Sequence, residues 1–446
     1  MKAVLTLGLF MTGAILAAPV TFNQDIAPIV YEKCSRCHRA GETAPFPLMS
    51  YEDVAKRGKL IAAVTASRYM PPWKAEPASY SYADSRRLTD EQLALIQAWV
   101  KQGMPRGAGS TPAPPKFPEG WQLGAPDLVV EMPKAFNVPA EGPDIYRNFV
   151  IPLNLKQDEW VQAIELRPSS HGVVHHVLYF ADTSGDARKM QSENMDEAQG
   201  MRFTRGMIPM GGVAVGAQPH LLPNGLALNL PKGSDLVFQY HFHPSGKAES
   251  EQSKVGLYFA KKAPLHTLTN IQLPPTFGLF SGVKIPAGQK EFKVTDSYVL
   301  PVDVEAISVG AHAHYLGKTM KMTATLPNGE VKTLLDIKDW DFSWQDRYFF
   351  EQAVALPKGT RIYGEVTWDN SAENSRNPSN PPILVKWGEE SKDEMGAVSM
   401  QVYPKSEADL KELTTDYRKH VRGIALPRLI SDKELREWVR ERVGPQ

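Results

Sequence analysis

The only two cysteines of this 446-residue chain stand three positions apart and run straight into a histidine, Cys34-Ser35-Arg36-Cys37-His38. That spacing constrains the fold before any other residue is read. Two thiols so placed can anchor one porphyrin through thioethers, with the adjacent imidazole set to ligate its iron. Thiols used in this way leave no disulfide to staple the rest of the chain. A redox dithiol or half of a zinc site would use the same residues, but zinc wants two more soft ligands nearby and no other cysteine exists. The expectation is therefore a covalent haem c on Cys34 and Cys37, with His38 as one axial ligand. Met70, in Arg68-Tyr69-Met70-Pro71-Pro72-Trp73, is the candidate for the other, because two prolines restrict the backbone beside it. His/Met ligation raises the reduction potential, which suits an electron carrier. The plain alternative for Met70 is a core methionine.

The start of the chain agrees with a covalent haem, which is normally attached outside the cytoplasm. Lys2 is followed by a short apolar run, Ala3 to Ala18, that reads as an export signal over residues 1–18. An uncleaved anchor is the other reading of that run. No later stretch is apolar enough to span a bilayer, so a periplasmic or secreted protein is expected, with no membrane span after signal cleavage. Lys and Arg total 50 against 50 Asp and Glu, a balance that offers nothing to a nucleic-acid partner.

Residues 19–106 read as a small helical domain. Thr89-Asp90-Glu91-Gln92 has the spacing of a capping box, and Leu93, Ile96 and Val100 follow as a helical stripe that Gly103 and Pro105 stop. This span resembles the small mono-haem cytochrome c domains that carry a Met-Pro-Pro-Trp segment after their Cys-x-x-Cys-His. Residues 107–126 are rich in Pro and Gly and read as a linker. From there to about 404, short alternating runs are separated by turns such as Pro231-Lys232-Gly233 and Pro327-Asn328-Gly329, the pattern of β-sandwiches. The length accommodates two, at 127–265 and 266–405, followed by a charged helical tail at 406–446. The expected fold class is multidomain: a small all-α cytochrome c domain, then two antiparallel β-sandwich, jelly-roll-like domains.

Nine of the eleven histidines, all but His38 and His420, fall between His171 and His314. Six sit in pairs: His175-His176, His241-Phe242-His243 and His312-Ala313-His314. Residues two apart on a strand share a face. His312 and His314 thus point one way with Ser308 and Gly310, while Ile307, Val309, Ala311 and Ala313 point into a core. Likewise Leu236, Phe238, Tyr240 and Phe242 take the core face of their strand, opposite His241 and His243. Adjacent His175 and His176 can serve one metal only at a strand end or bulge; otherwise one is a ligand and the other structural. Imidazole suits zinc, copper, iron or nickel, and a redox metal makes better sense of a fused haem.

These clusters resemble the copper type II, ascorbate-dependent monooxygenases, the family of peptidylglycine alpha-hydroxylating and dopamine beta-monooxygenases. Four segments come in the family's order: His175-His176-Val177, Val237-Phe238-Gln239-Tyr240-His241, His312-Ala313-His314-Tyr315-Leu316-Gly317-Lys318 and Asp393-Glu394-Met395. The resemblance implies two copper ions, one on His175, His176 and His241 that supplies electrons, and one on His312, His314 and Met395 where oxygen binds. The catalytic residues it implies are His312, His314 and Met395. The partners are O2, a small-molecule substrate, and an electron donor protein or diffusible reductant. His243 is a candidate to orient His241, whereas His171, His220 and His266 have no assigned ligand role.

Departures from the family bear on the substrate. Its peptide-hydroxylating member grips a substrate carboxylate with an arginine two residues before His-x-His, where this chain has Gly310. That member's Asn and Tyr after the ligand methionine are here Ala397 and Ser399. These changes argue against a glycine-extended peptide, and the fused haem suggests an internal source of electrons. The reading is an exported, haem-fed copper monooxygenase that hydroxylates a C–H bond. The competing readings are a haem/copper electron-transfer or copper-binding protein without oxygenase activity, and a zinc hydrolase with an accessory cytochrome.

Overall fold

The structure is a computed structural model that describes residues 19–193, 207–214, 217–223 and 225–443. The expected export signal, 1–18, lies outside the described residues. The chain divides into two compact units. One runs to Pro71 and resumes over Arg86–Lys116; the other comprises Pro72–Ser85 and the chain from Phe117 onward.

The first unit is built from short helical pieces. A turn at Phe22–Ile26 runs into the helix Ala27–Lys33, and Tyr51–Lys56, Gly58–Ala66 and Asp90–Lys101 follow. Their apolar positions meet in one small core around Phe22, Ile26, Val30, Leu48, Ile96 and Trp99. The capping box is present: Gln92 N–H donates to Thr89 Oγ1 at 3.2 Å and Thr89 N–H to Gln92 Oε1 at 3.0 Å.

The second unit holds two pairs of facing sheets. In the first, the sheet of Leu128–Glu131, Lys254–Phe259, Glu159–Arg167, Leu226–Leu230 and His266–Thr267 shares a core with that of Ile145–Pro152, Asp235–Phe242, Val174–Asp182 and Met207–Ala214. In the second, Thr269–Leu273, Gly396–Pro404, Val304–Ala313 and Arg347–Leu356 face Phe292–Val299, Arg361–Trp368, Gly317–Thr325 and Val331–Ile337. Leu236, Phe238, Tyr240 and Phe242 all point into the first core. In Val304–Ala313 a register shift between Ala306 and Ser308 places Val304, Ala306, Val309 and Ala313 on one buried face. The helix Glu407–Ser431 then docks on the second pair, with Leu413 buried and Tyr417 O–H donating to the Gln272 carbonyl at 2.7 Å. No helix among the described residues is long and apolar enough to cross a membrane.

The expected fold class needs correction. Strand outweighs helix, 35% to 21%, and no clear all-α cytochrome domain opens the chain. The helices of the first unit run from 6 to 12 residues, and irregular chain fills the space between them. Residues 72–85, inside the span read as helical, belong to the β unit. Ala75 bridges to Ile337 and Tyr82 to Phe350, and Trp73 is buried against Tyr348 at 4.9 Å between ring centroids. The physical reason is burial: sheets offer unpaired edges and an apolar core that short helices lack, and Trp73 and Tyr82 gain from both. The two sheet pairs form one unit and are not purely antiparallel, since His266–Thr267 pairs in parallel with Leu226 and Ala227.

Candidate metal centre

Three imidazoles converge in the first sheet pair. His241 lies in the Asp235–Phe242 strand, between Tyr146 on one neighbour and His176 on the other. The pairing with Val174–Asp182 slips between Val174 and His176, and this irregularity turns adjacent His175 and His176 to the same point. His175 Nδ1 lies 3.1 Å from both His176 Nδ1 and His241 Nδ1, and the third edge is 3.4 Å. Metal–imidazole bonds of about 2.0–2.1 Å set tetrahedral ligand edges at roughly 3.3 Å, so the triangle has the size of a coordination face.

Protonation suits the same use. Burial, then the neighbouring His241, push His175 down to about 3. Burial and the surrounding histidines hold His176 well below the ordinary imidazole range. An Asp144 oxygen stands 2.9 Å from His241 Nε2, off the line of the N–H. His241 Nδ1 on the other side of the ring faces His175 and His176, so the carboxylate braces the imidazole from behind. Burial alone would raise the Asp144 carboxyl, but hydrogen bonding and charge at His241, with Ser391 and His243, hold it far below the usual carboxylate range. His243 is exposed and meets Asp144 at 2.7 Å. It therefore supports the carboxylate beside His241.

The second cluster is built on the Val304–Ala313 strand. Gln345 Nε2 donates to the Phe342 carbonyl at 3.0 Å, so its Oε1 faces His312 Nδ1, 2.6 Å away. His314 Nδ1 faces the Asp393 carbonyl at 3.0 Å. Both acceptors fix the proton on Nδ1 and leave Nε2 open on both rings, whose centroids are 5.3 Å apart. Burial pushes His312 down to about 4 and His314 to about 3. Ala313 pairs with Gly396, which brings buried Met395 to the level of His314. Glu394 pins the two segments together. Fully buried, it accepts from His314 N–H at 3.0 Å, Leu316 N–H at 2.6 Å and Trp368 Nε1–H at 2.8 Å.

One aromatic ring packs near both clusters. The Phe342 centroid is 4.9 Å from that of His175, 5.9 Å from His241 and 5.5 Å from His314. Phe342, Gln345, Asp144 and Arg347 lie outside every motif read from the sequence, and only assembly of the strands gives them a role. Glu394 did carry a signal, its place between Asp393 and Met395.

Arg347 pairs with Gly310 across adjacent strands. Its guanidinium carbon lies 3.8 Å from where a Cβ on Gly310 would stand, beside the Ser399 hydroxyl. Its Nη1 donates to Ser308 Oγ at 3.3 Å. Burial lowers its pKa to about 10, which leaves it charged at neutral pH. The neighbouring strand thus brings a guanidinium to the face that carries Gly310. The remaining histidines pack as ordinary side chains: His220 lies 3.7 Å from Asp84 and against Phe349, and His266 stacks on Tyr403.

In the first unit, His38 Nδ1 faces the Phe46 carbonyl at 3.0 Å, which leaves Nε2 free. Burial lowers the His38 pKa, so the ring is held neutral, as an iron ligand must be. Cys34 and Cys37 are free thiols, and burial pushes Cys34 up to about 12. Met70 is half-buried, with its N–H donating to the Val64 carbonyl at 3.0 Å.

No family model matches the sequence, and no curated protein does. Among solved structures, the chain is similar to the major capsid protein P2 of bacteriophage PM2, with 9% identity, 63% of this chain and 99% of that one covered, and a TM-score of 0.26. It is likewise similar to PNGase F, a glycosylasparaginase from Flavobacterium meningosepticum, with 9% identity, coverage of 63% and 97%, and a TM-score of 0.30. Likeness at this level bears on neither fold nor function.

Proposed function

We propose that this chain is an exported copper-dependent monooxygenase of the peptidylglycine and dopamine monooxygenase type, fed with electrons through a c-type haem. The observation that carries the reading is the meeting of three imidazole Nδ1 atoms, 3.1–3.4 Å apart, opposite a second pair of histidines that present Nε2. Copper bound there supplies one-electron chemistry and, where a coordination position stays open, a place for O2. His175, His176 and His241 would hold one ion, with Asp144 bracing the His241 ring. His312, His314 and Met395 would hold the other, the thioether favouring the reduced ion. Cys34 and Cys37 would anchor the haem, with His38 and Met70 as its axial ligands.

Arg347 supports a substrate that carries a carboxylate or a comparable anion. A charged guanidinium on the His312 face, beside a glycine that leaves space, offers a planar fork for such a group. On this reading Arg347→Gln raises KM for an anionic substrate at least tenfold, a loss of about 1.4 kcal/mol or more, with little change in copper content.

The deciding experiment measures copper, zinc and haem iron in the exported protein after reloading with copper. Two coppers per haem, falling to about one in Met395→Ala with the haem spectrum unchanged, support the reading. Stoichiometric zinc, or no specific copper, overturns it. The second reading, electron transfer without oxygenation, draws on Phe342, whose ring occupies space between the clusters where a substrate could sit. It predicts copper that cycles with the haem while O2 is never consumed.

A further inference from the structure

The two histidine clusters come from different sheet pairs, so something must set their spacing. A chain of short contacts joins the halves at this point. Tyr146 O–H and Ser391 Oγ are 2.7 Å apart, and Ser391 Oγ lies 2.7 Å from Asp144 Oδ2. The Tyr146 ring also stacks on His241, with centroids 4.4 Å apart. Tyr146 and Asp144 belong to the half that holds the triad. Ser391 belongs to the turn that leads into Met395. The hydroxyl is buried, 7% exposed, so its bond to a carboxylate is not in easy exchange with water.

Phe342 stands beside this link, 5% exposed, tilted 33° to the His175 ring and 73° to the His314 ring. Its loop is tied to the second cluster: Trp340 Nε1–H donates to the His314 carbonyl at 3.2 Å, and Gln345 holds His312. The loop therefore moves with His312 and His314, and its ring touches His175.

We propose that Asp144, Ser391 and Phe342 form a clasp that holds the two clusters on either side of one aromatic ring, at a single spacing. This rests on the reading that each cluster binds a metal ion. Ser391 and Phe342 are positioning residues. The hydroxyl closes the halves by bonding the carboxylate that already braces His241, and the ring sets how near they come.

The test uses the full chain in two states. With both sites loaded as Cu(II), two nearby spins give a half-field electron paramagnetic resonance signal that weakens steeply with separation. The clasp predicts this signal in the wild type, its loss in Ser391→Ala, and its return in Ser391→Thr, which keeps the hydroxyl. Phe342→Ala should change its intensity while two coppers remain bound. Without metal, hydrogen exchange at residues 389–395 and 142–148 should be about tenfold faster in Ser391→Ala, the effect expected for losing a hydrogen bond to a buried carboxylate. Unchanged exchange in Ser391→Ala overturns the clasp, as does an unchanged half-field signal in that variant. If the wild type binds no copper, the metal reading fails, and the exchange comparison still decides whether the clasp exists.

Discussion

At the scale of single residues, the acid that matters most to the second cluster is not a candidate ligand. Glu394 accepts three N–H donors in a fully buried position. Burial pushes its carboxyl up to about 8, and the donors oppose that rise. Glu394→Ala leaves all three donors without a partner, at about 1–3 kcal/mol each. The expected outcome is a loss of at least 3 kcal/mol in denaturant unfolding, with the Met395 turn released from His314. Unchanged stability in this variant would contradict the bracing role. The motif Asp393-Glu394-Met395 marked this place in the sequence. It did not show that Glu394 braces the backbone while Met395 is the candidate ligand.

At the scale of elements, residues 72–85 show how composition misleads. Read along the chain, Trp73 lies just after the candidate haem ligand and inside a helical span. In the structure it is 6% exposed within the core of the second sheet pair, and Lys74 reaches Asp339 and Asp341 at 3.5 and 3.6 Å. Trp73→Ala should therefore destabilise the β unit by about 3–5 kcal/mol. In a two-transition thermal melt, the transition of the β unit should fall while that of the first unit stays. A shift confined to the first unit's transition would return Trp73 to that unit. The irregularity beside Val174 is the opposite case. Two adjacent histidines could serve one point only at such a break, and the strand carries one there.

At the scale of the whole molecule, the buried histidines tie stability to pH. His175, His312 and His314 are depressed to about 3, 4 and 3, below the ordinary imidazole value of about 6.5. The folded state keeps them neutral while the unfolded chain takes up protons. Their contribution is full above pH 6.5 and is lost as pH falls toward 4, about 2 kcal/mol per histidine by pH 5. Glu394 works in the other sense. Raised to about 8, it contributes most below its unfolded value and loses that contribution as pH rises through 8, which returns about 3 kcal/mol between pH 7.5 and 5. His176, held well below the ordinary imidazole range, acts in the same sense, so metal-free protein should be at least about 3 kcal/mol less stable at pH 5 than at pH 7.5. Glu394→Gln should remove the offset and steepen the fall. A denaturant midpoint independent of pH across this window would show that these histidines are not buried neutral.

What was legible in the sequence were short-range periodicities and spacings: the capping box at Thr89, and the two-residue alternation that put His241 opposite Leu236, Phe238, Tyr240 and Phe242. Each depends on contacts a few residues long, so local geometry suffices to read it. Only the tertiary structure decided that Trp73 and Tyr82 complete a β core. It also decided that Arg347 on the next strand comes to the face of Gly310, and that Asp144 and Phe342 pack beside the histidines, with Ser391 bonded to Asp144. Those depend on pairs separated by tens to hundreds of residues. No spacing along the chain encodes which strand edges meet, because strand order and register are set by the burial of whole sheet faces.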